Sequence, residues 1–409
     1  MQAKRHLDVS IILCTLLLKI VGLWLAQDSV EERRRKVMIG CTLFSTVFAT
    51  FVEVRDLYFT WLHKGDVLYV FTNTLTVVMA LIKIYIILMR KVEFLDLIAY
   101  MREKFWNVDY DANEKVIFEN CRRTCIFFIS GVSLIGMCVM FSYVSTPFTG
   151  RSSSNESERL LIFNMWTDLP LSTTPYYEMT FTLQVVTLCQ IGVCYFCFDT
   201  IFCIMTIHVS GNFTILRYRF SKLCDVQCQT TEKDAESILD NHVRETYAKL
   251  KTYVRQHQAL IYFCEKLEKV YTMIILGQVL VSSLLICLFG YQILLAQAPP
   301  ERRSMFFFLI SGSMALLFMF TYGCNSVIDE SNDVAVGAYS TLWMMMPMNR
   351  LGRMIRKDLI MVIVRSRKVC CLTANGFFPV SLKTYTSILS TAVSYFTLLR
   401  NHAEQTTIT

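Results

Sequence analysis

Few residues in this sequence have the types and spacing to do chemistry, and what they offer argues against catalysis. There is no Gly-x-x-x-x-Gly-Lys phosphate loop, no His-Glu-x-x-His zinc helix, no Gly-x-Ser-x-Gly nucleophile elbow and no pair of carboxylates within one apolar stretch suited to acid–base work. Cys194 and Cys197 have the C-x-x-C spacing, but no second pair or histidine accompanies them. Two small buried hydrophobes are expected there, not a metal or redox site. His208, His242 and His257 are dispersed and read as structural, so the expectation is no metal, no cofactor and no enzyme activity. The sharper signal is ionisable residues within apolar stretches, where a charge is costly. Glu53, Arg55 and Asp56 share one helical turn and are expected to pair locally near the outer interface. Lys83 is expected to snorkel to the headgroups and Asp199 to reach the inner boundary. Neither reading builds a midplane relay, and all prolines lie outside the centres of the apolar stretches. Both features argue against a coupled transporter.

The elements that must position these residues are long apolar helices. The 409 residues are 54% hydrophobic and 18% charged, with a mean hydropathy of +0.43, which places the chain among all-α integral membrane proteins. Seven stretches reach the length a transmembrane helix needs: 37–62, 67–89, 124–146, 179–209, 270–297, 305–328 and 381–399. The opening run 9–26 is broken by Lys19 and lacks a cleavage site, so it reads as an uncleaved segment at or partly in the membrane. Basic residues gather on one side, in Arg33–Lys36, 90–123, 212–269 and 350–368. That bias puts the N-terminus in the cytoplasm and, with seven spans, the C-terminus outside. It also accounts for the net charge of +7 without nucleic acid. The sequon at Asn155 then falls outside and is a glycosylation candidate, whereas the one at Asn212 falls inside and should stay bare. The predicted outside loops contain no cysteine, so the sixteen cysteines imply no disulfide framework.

Between 231 and 271, apolar residues recur at helical spacing (Leu239, Val243, Tyr247, Leu250, Val254, His257, Ile261, Cys264, Leu267, Tyr271), predicting a cytoplasmic helix that runs straight into the fifth span. Its sticky face could pack within the chain or against another subunit. The outer halves of the spans carry aromatics, methionines and few hydroxyls, the composition of a pocket for a small apolar molecule. Its candidate residues are Phe71, Thr72, Asn73, Ser133, Gly136, Met137, Met140, Tyr143, Phe181, Gln184, Val185, Tyr291 and Phe306. The last span, with Ser387, Ser390, Thr391, Ala392 and Ser394, suits a helix that faces other helices or water.

In the last third the pattern becomes specific. The stretch from Leu317 to Ser331, the run Ala338 to Trp343, and the segment from Val364 through Leu372 to Leu399 resemble the sixth-to-seventh span region of insect odorant receptors. Gln256-His257 with Phe263 to Glu268 is similar to that family's lead-in to span five. Thr384-Tyr385 is not followed by the Gln-Phe of gustatory receptors, and Ser394-Tyr395 matches the odorant receptor ending. The chain lacks the long inside-loop insertion of the shared co-receptor, so it looks like a ligand-specific tuning subunit. A G-protein-coupled receptor is disfavoured by the inside N-terminus and by the missing Asp-Arg-Tyr and Asn-Pro-x-x-Tyr. A gustatory-type channel or a small-solute transporter are the remaining alternatives.

The resemblance implies a heterotetrameric, odorant-gated, non-selective cation channel formed with the co-receptor, in the plasma membrane of olfactory sensory neurons. It implies a small volatile organic ligand, monovalent and divalent cations as permeants, contact with membrane lipid and no nucleic-acid partner. It also implies a pore lined by the last span, with Ser394, a constriction at Leu398, Asn401 beyond it and Arg400 at the mouth. The expected organisation is a membrane-associated segment 1–36, a ligand-binding region 37–211, a cytoplasmic anchor segment 212–269 and spans five and six in 270–328. An anchor helix and linker 329–380, a pore span 381–400 and an extracellular tail 401–409 complete it.

Overall fold

A computed structural model describes residues 9–26, 28–63, 66–106, 108–149, 161–166, 173–224, 235–294 and 300–408. These fold as helices α1 (Val9–Val21), α2 (Ser29–Leu62), α3 (Val67–Met89), α4 (Lys91–Met101), α5 (Ala112–Thr149), α6 (Tyr176–Ser221), α7 (Ala235–Leu294), α8 (Pro300–Ser340), α9 (Arg350–Ser366) and α10 (Leu382–Ile408). A single π turn follows α4 at Arg102–Trp106. Six of the described helices (α2, α3, α5, α6, α7 and α8) are long and apolar enough to cross a membrane. Their outward surfaces carry Phe44, Phe127, Met137 and Phe141, each at least 70% exposed. A surface that apolar is stable against lipid and not against water. The helices outrun the apolar stretches because the pattern turns amphipathic where it leaves the hydrocarbon. Thus α5 begins at Ala112, before the apolar stretch 124–146, and α7 is one 60-residue helix that includes the sticky face. On that face Val243, Leu250, Cys264, Leu267 and Tyr271 are buried.

α6 is the axis of the bundle. Phe198, Ile201, Phe202, Cys203, Ile204 and Phe213 are fully buried along it, and it packs on α8, α5, α7, α1 and α2. The Phe202 ring stacks on Phe320 of α8 at 4.6 Å and meets Tyr271 of α7 at 4.8 Å. α8 comes close enough to α6 for the Ser210 and Ser326 hydroxyls to stand 2.6 Å apart. Gly323 makes this approach necessary, because a Cβ there would lie 2.3 Å from the Thr206 hydroxyl. α1 turns into the bundle at Gly22 (φ +89°) and buries Leu18, Val21 and Leu23. Asn212 is buried, with its side-chain nitrogen donating to the His208 carbonyl at 2.9 Å, so its sequon is closed to modification. Asn155 lies outside the described residues.

Two expectations about intramembrane charge are corrected. Lys83 does not snorkel and Asp199 does not reach a boundary. Both are fully buried, and Lys83 Nζ donates to Asp199 Oδ1 and Oδ2 at 2.8 and 2.7 Å, joining α3 to α6. The ammonium also lies 3.9 Å from the centroid of the Tyr195 ring. Mutual neutralisation makes burial tolerable where a lone lysine would have to reach water. Glu53, Arg55 and Asp56 do not pair locally either. Asp56 accepts from Trp166 Nε1 at 2.7 Å and Arg55 donates to the Trp166 carbonyl at 2.6 Å, while Glu53 turns inward.

At the other end, α5, α6 and α7 are tied by Arg219, which donates to Glu114 Oε1 and Oε2 at 2.6 and 2.9 Å and to Gln256 at 2.8 Å. The guanidinium beside Glu114 holds its carboxyl below the usual range. Nearby, His257 is buried against Phe213, and burial, with Arg365 adding to it, pushes its pKa down to about 4. A short hairpin joins α9 to α10. Asn375 and Gly376 both have positive φ (51° and 78°) within the five residues, 374–378, that close the bridge between Thr373 and Pro379. The hairpin is anchored on α7, where the Thr272 hydroxyl donates to the Thr373 carbonyl at 3.1 Å and the Thr373 hydroxyl donates to Glu268 at 2.5 Å.

Lys83→Met alone should destabilise the bundle by about 3–5 kcal/mol, since it strands a buried carboxylate. The double variant Lys83→Met/Asp199→Leu should recover most of that loss in thermal unfolding of the purified chain. Because the folded state depresses the His257 pKa from 6.5 to about 4, protons favour the unfolded chain. Its stability contribution is therefore full above pH 6.5 and lost as pH falls toward 4, by roughly 1.4 kcal/mol per unit. His257→Phe should flatten that part of the unfolding-versus-pH curve.

Candidate functional site

In the half of the bundle nearest the α2–α3 and α5–α6 connections, the helices part around a partly open cavity of about 130 Å³. Its wall is built from every span around it: Glu53 of α2, Asn73 and Val77 of α3, Gly136, Met140 and Tyr143 of α5, Leu188 and Tyr195 of α6, Leu285 and Phe289 of α7, and Leu309 and Leu316 of α8. Glycines make the space. A Cβ at Gly136 would stand 2.9 Å from the Phe196 ring, which also lines the cavity. A second chamber of about 50 Å³ lies alongside and shares Glu53, Val77, Phe163, Leu188 and Ile191. For scale, an engineered apolar cavity of about 150 Å³ holds one benzene.

A short loop closes the cavity from above. Gln184 Oε1 accepts from the backbone N–H groups of Ile162 and Phe163 at 3.1 and 3.3 Å, and its Nε2 donates to the Phe163 carbonyl at 2.8 Å. Trp166, in the same loop, stacks on Phe59 at 5.3 Å and is held by Asp56 and Arg55. Phe163 thereby becomes the ceiling of both chambers. Above it lies a polar depression of about 230 Å³, with Asp56, Asp66, Tyr69, Asn164 and Arg302 in its wall, that shares Asn73 and Phe163 with the cavity below. Asn73 is fixed by the Tyr143 hydroxyl, which donates to its Oδ1 at 2.7 Å. The floor is Tyr195, whose ring rests on the Lys83 ammonium.

The structure divides the sequence-based candidates. Asn73, Gly136, Met140 and Tyr143 line the cavity, and Gln184 lines the second chamber. Phe306, Phe181 and Val185 belong to the cluster around Phe289, with Phe306 6.0 Å from both Phe289 and Tyr69. Thr72 is buried but bonds to the Tyr69 carbonyl, while Phe71 and Tyr291 are half-buried beside the cavity wall and absent from it. Ser133 and Met137 point away. Met137 is 70% exposed on the lipid face and Ser133 is exposed too: positions 133, 136, 137 and 140 share one side of α5, and the cavity meets only the edge of it that carries Gly136, Val139, Met140 and Tyr143. Sequence reasoning missed Glu53, Phe163, Tyr195, Leu285 and Leu316. Cys194 and Cys197 are both fully buried, and the described residues contain no cluster able to hold a metal.

α10 lies against α7 and α8 and buries Ala392 among Val279, Ile286 and Leu317. Its opposite face is open. Ser387, Ser390, Thr391, Ser394 and Leu398 are exposed, Leu398 by 66%. The hydroxyls of Thr391 and Ser394 are satisfied by carbonyls one turn back. The side chains of Arg400 and Asn401 lie outside the described residues, although α10 continues through them to Ile408.

A family model for 7tm odorant receptors matches residues 65–393. Odorant receptor 13a of Drosophila melanogaster is 25% identical over 320 residues, 76% of this chain and 73% of that one. Odorant receptor 10 of Aedes albopictus is 28% identical over 229 residues, 56% of each chain. The solved structure of the olfactory receptor OR5 from Machilis hrabei superposes with a TM-score of 0.78 at 15% identity, covering 95% of this chain and 97% of that one. Its complex with eugenol gives the same score at 14% identity. The fold is therefore the seven-span, all-helical architecture. Gln184→Leu should free the ceiling loop: amide exchange at Ile162 and Phe163 should accelerate at least tenfold, with about 1–3 kcal/mol lost in overall stability from stranded backbone groups.

Proposed function

Because the chain belongs to the 7tm odorant receptor family, we propose that this multi-pass membrane receptor, which is not an enzyme, is one subunit of an odorant-gated non-selective cation channel. A small volatile molecule occupies the cavity beneath Phe163. The pore is formed with the family's co-receptor in a heterotetramer in the plasma membrane of olfactory sensory neurons. Monovalent and divalent cations then pass down their gradients. No cofactor takes part.

The observation that carries this reading is the open hydroxyl-bearing face of α10 behind the cavity. Leu285 and Leu316 face the cavity, while their chain neighbours Ile286 and Leu317 face Ala392 of α10. One residue pair on α7 and one on α8 thus connect ligand to pore wall with no intermediate layer. A ligand that packs better when these helices spread favours the open arrangement, and only that difference in affinity shifts the equilibrium. Leu398, exposed near the outer end of that face, narrows the closed pore as part of a hydrophobic ring. Ser394 lies one turn below it and Asn401 one turn above.

Co-expression with the co-receptor in voltage-clamped cells tests the reading. An odorant-evoked current that reverses near zero is expected, and solute uptake without current would overturn it. Leu398→Ala should raise the resting current several-fold without added odorant. An unchanged closed state would remove Leu398 from the gate.

A further inference from the structure

The cavity wall contains one carboxyl that the protein itself leaves unsatisfied. Glu53 lines both chambers, is 3% exposed, and its Oε2 has no hydrogen-bond partner among the described residues. Its position is set from the backbone, where its carbonyl accepts from the Thr74 hydroxyl at 3.4 Å. Three neighbouring polar groups are spent. Asn73 accepts from Tyr143, Gln184 holds the ceiling loop, and Asp56 is engaged by Trp166 and Thr60. Arg55 is turned toward the Trp166 carbonyl, and among the described residues no lysine, arginine or histidine lines either chamber. A buried carboxyl oxygen with no donor among the described residues is costly to keep. An apolar side chain of the same length would fill the site at less cost, so the acceptor is explained by what enters the cavity.

We infer, resting on the odorant-receptor reading, that Glu53 is the polar anchor of the ligand, and that the cavity takes a compact apolar molecule carrying a hydrogen-bond donor, a hydroxyl or an amine. The donor meets the Glu53 carboxyl. The hydrocarbon frame fills the space between Met140, Phe163, Leu285 and Phe289. An ether of the same shape brings only an acceptor and leaves carboxyl lone pairs unpaired, which is the situation in which polar sites discriminate most strongly. The volume suits a frame near benzene in size.

Two shape-matched triples test this: benzyl alcohol, benzylamine and anisole, and 1-hexanol, hexylamine and methyl pentyl ether. Each is applied to the full chain with its co-receptor under voltage clamp, and separately to the purified chain as a thermal-shift ligand. In at least one triple a donor-bearing member should act at a concentration about tenfold or more below its ether. Glu53→Leu should abolish that preference while leaving the ether's effect in place. Glu53→Gln, which keeps the shape and an acceptor oxygen, should retain the alcohol response and lose the amine response. Surface labelling of a tagged chain establishes that each variant folds. If the ether equals or exceeds both donors in both triples, or if Glu53→Leu shifts all members equally, the inference is overturned. Donor preference in the thermal shift without any evoked current would uphold the Glu53 assignment and overturn the channel reading instead.

Discussion

The structure depends on one electrostatic constraint: two opposite charges buried at mid-depth must stay together. Lys83 and Asp199 are fully enclosed and bonded through both carboxylate oxygens. Separating them exposes each to a medium that cannot solvate it. α3 and α6 are therefore locked at that level. The lock extends upward through Tyr195 into the cavity floor and sideways through α6 into α8, where Gly323 admits Thr206 and the two serines meet. Movement that preserves these contacts has to occur elsewhere, along the outer parts of α7 and α8 and where they meet α10.

The two halves of the bundle are held by different physics. Below the ion pair the contacts are dense: the aromatic stack of Phe202, Phe320 and Tyr271, the bidentate Arg219–Glu114 bond and the hairpin anchored on Thr272 and Glu268. Above it the helices separate around a cavity, and the loop around Phe163, bonded to Gln184 and through Trp166 to Asp56, forms the roof. The division suits a receptor. A region that must admit and release molecules is drawn from the less stable part of a structure, while the part that transmits force has to resist deformation.

Much of the architecture was legible in the sequence because apolar length and helical period are local properties. The run from Leu239 to Tyr271 announced a continuous helix, and the positive-φ turn lay where Asn375-Gly376 breaks the pattern. The Lys83–Asp199 bond was not legible, since its partners are 116 residues apart and each alone reads as an interfacial charge. Glu53 was misread for the opposite reason: its sequence neighbours suggested local pairing, whereas Arg55 and Asp56 are taken by a tryptophan more than a hundred residues away. Ser133 and Met137 could not have been excluded by spacing, because 133, 136, 137 and 140 fall on one side of a helix and only the packing of α5 decides which part of that side meets the cavity. Phe163 could not have been found, as it belongs to a loop without periodicity.

The hairpin at Asn375-Gly376 has a mechanical consequence. By fastening the base of α10 to α7, it makes the helix a lever that pivots at Thr373 and Asn375. Leu398 stands sixteen residues beyond the start of α10 at Leu382, about 24 Å along the axis, so a swing of roughly 5° at the base carries it about 2 Å sideways. A displacement too small to disturb packing at the base thus becomes, at Leu398, a shift of a water molecule's radius or more.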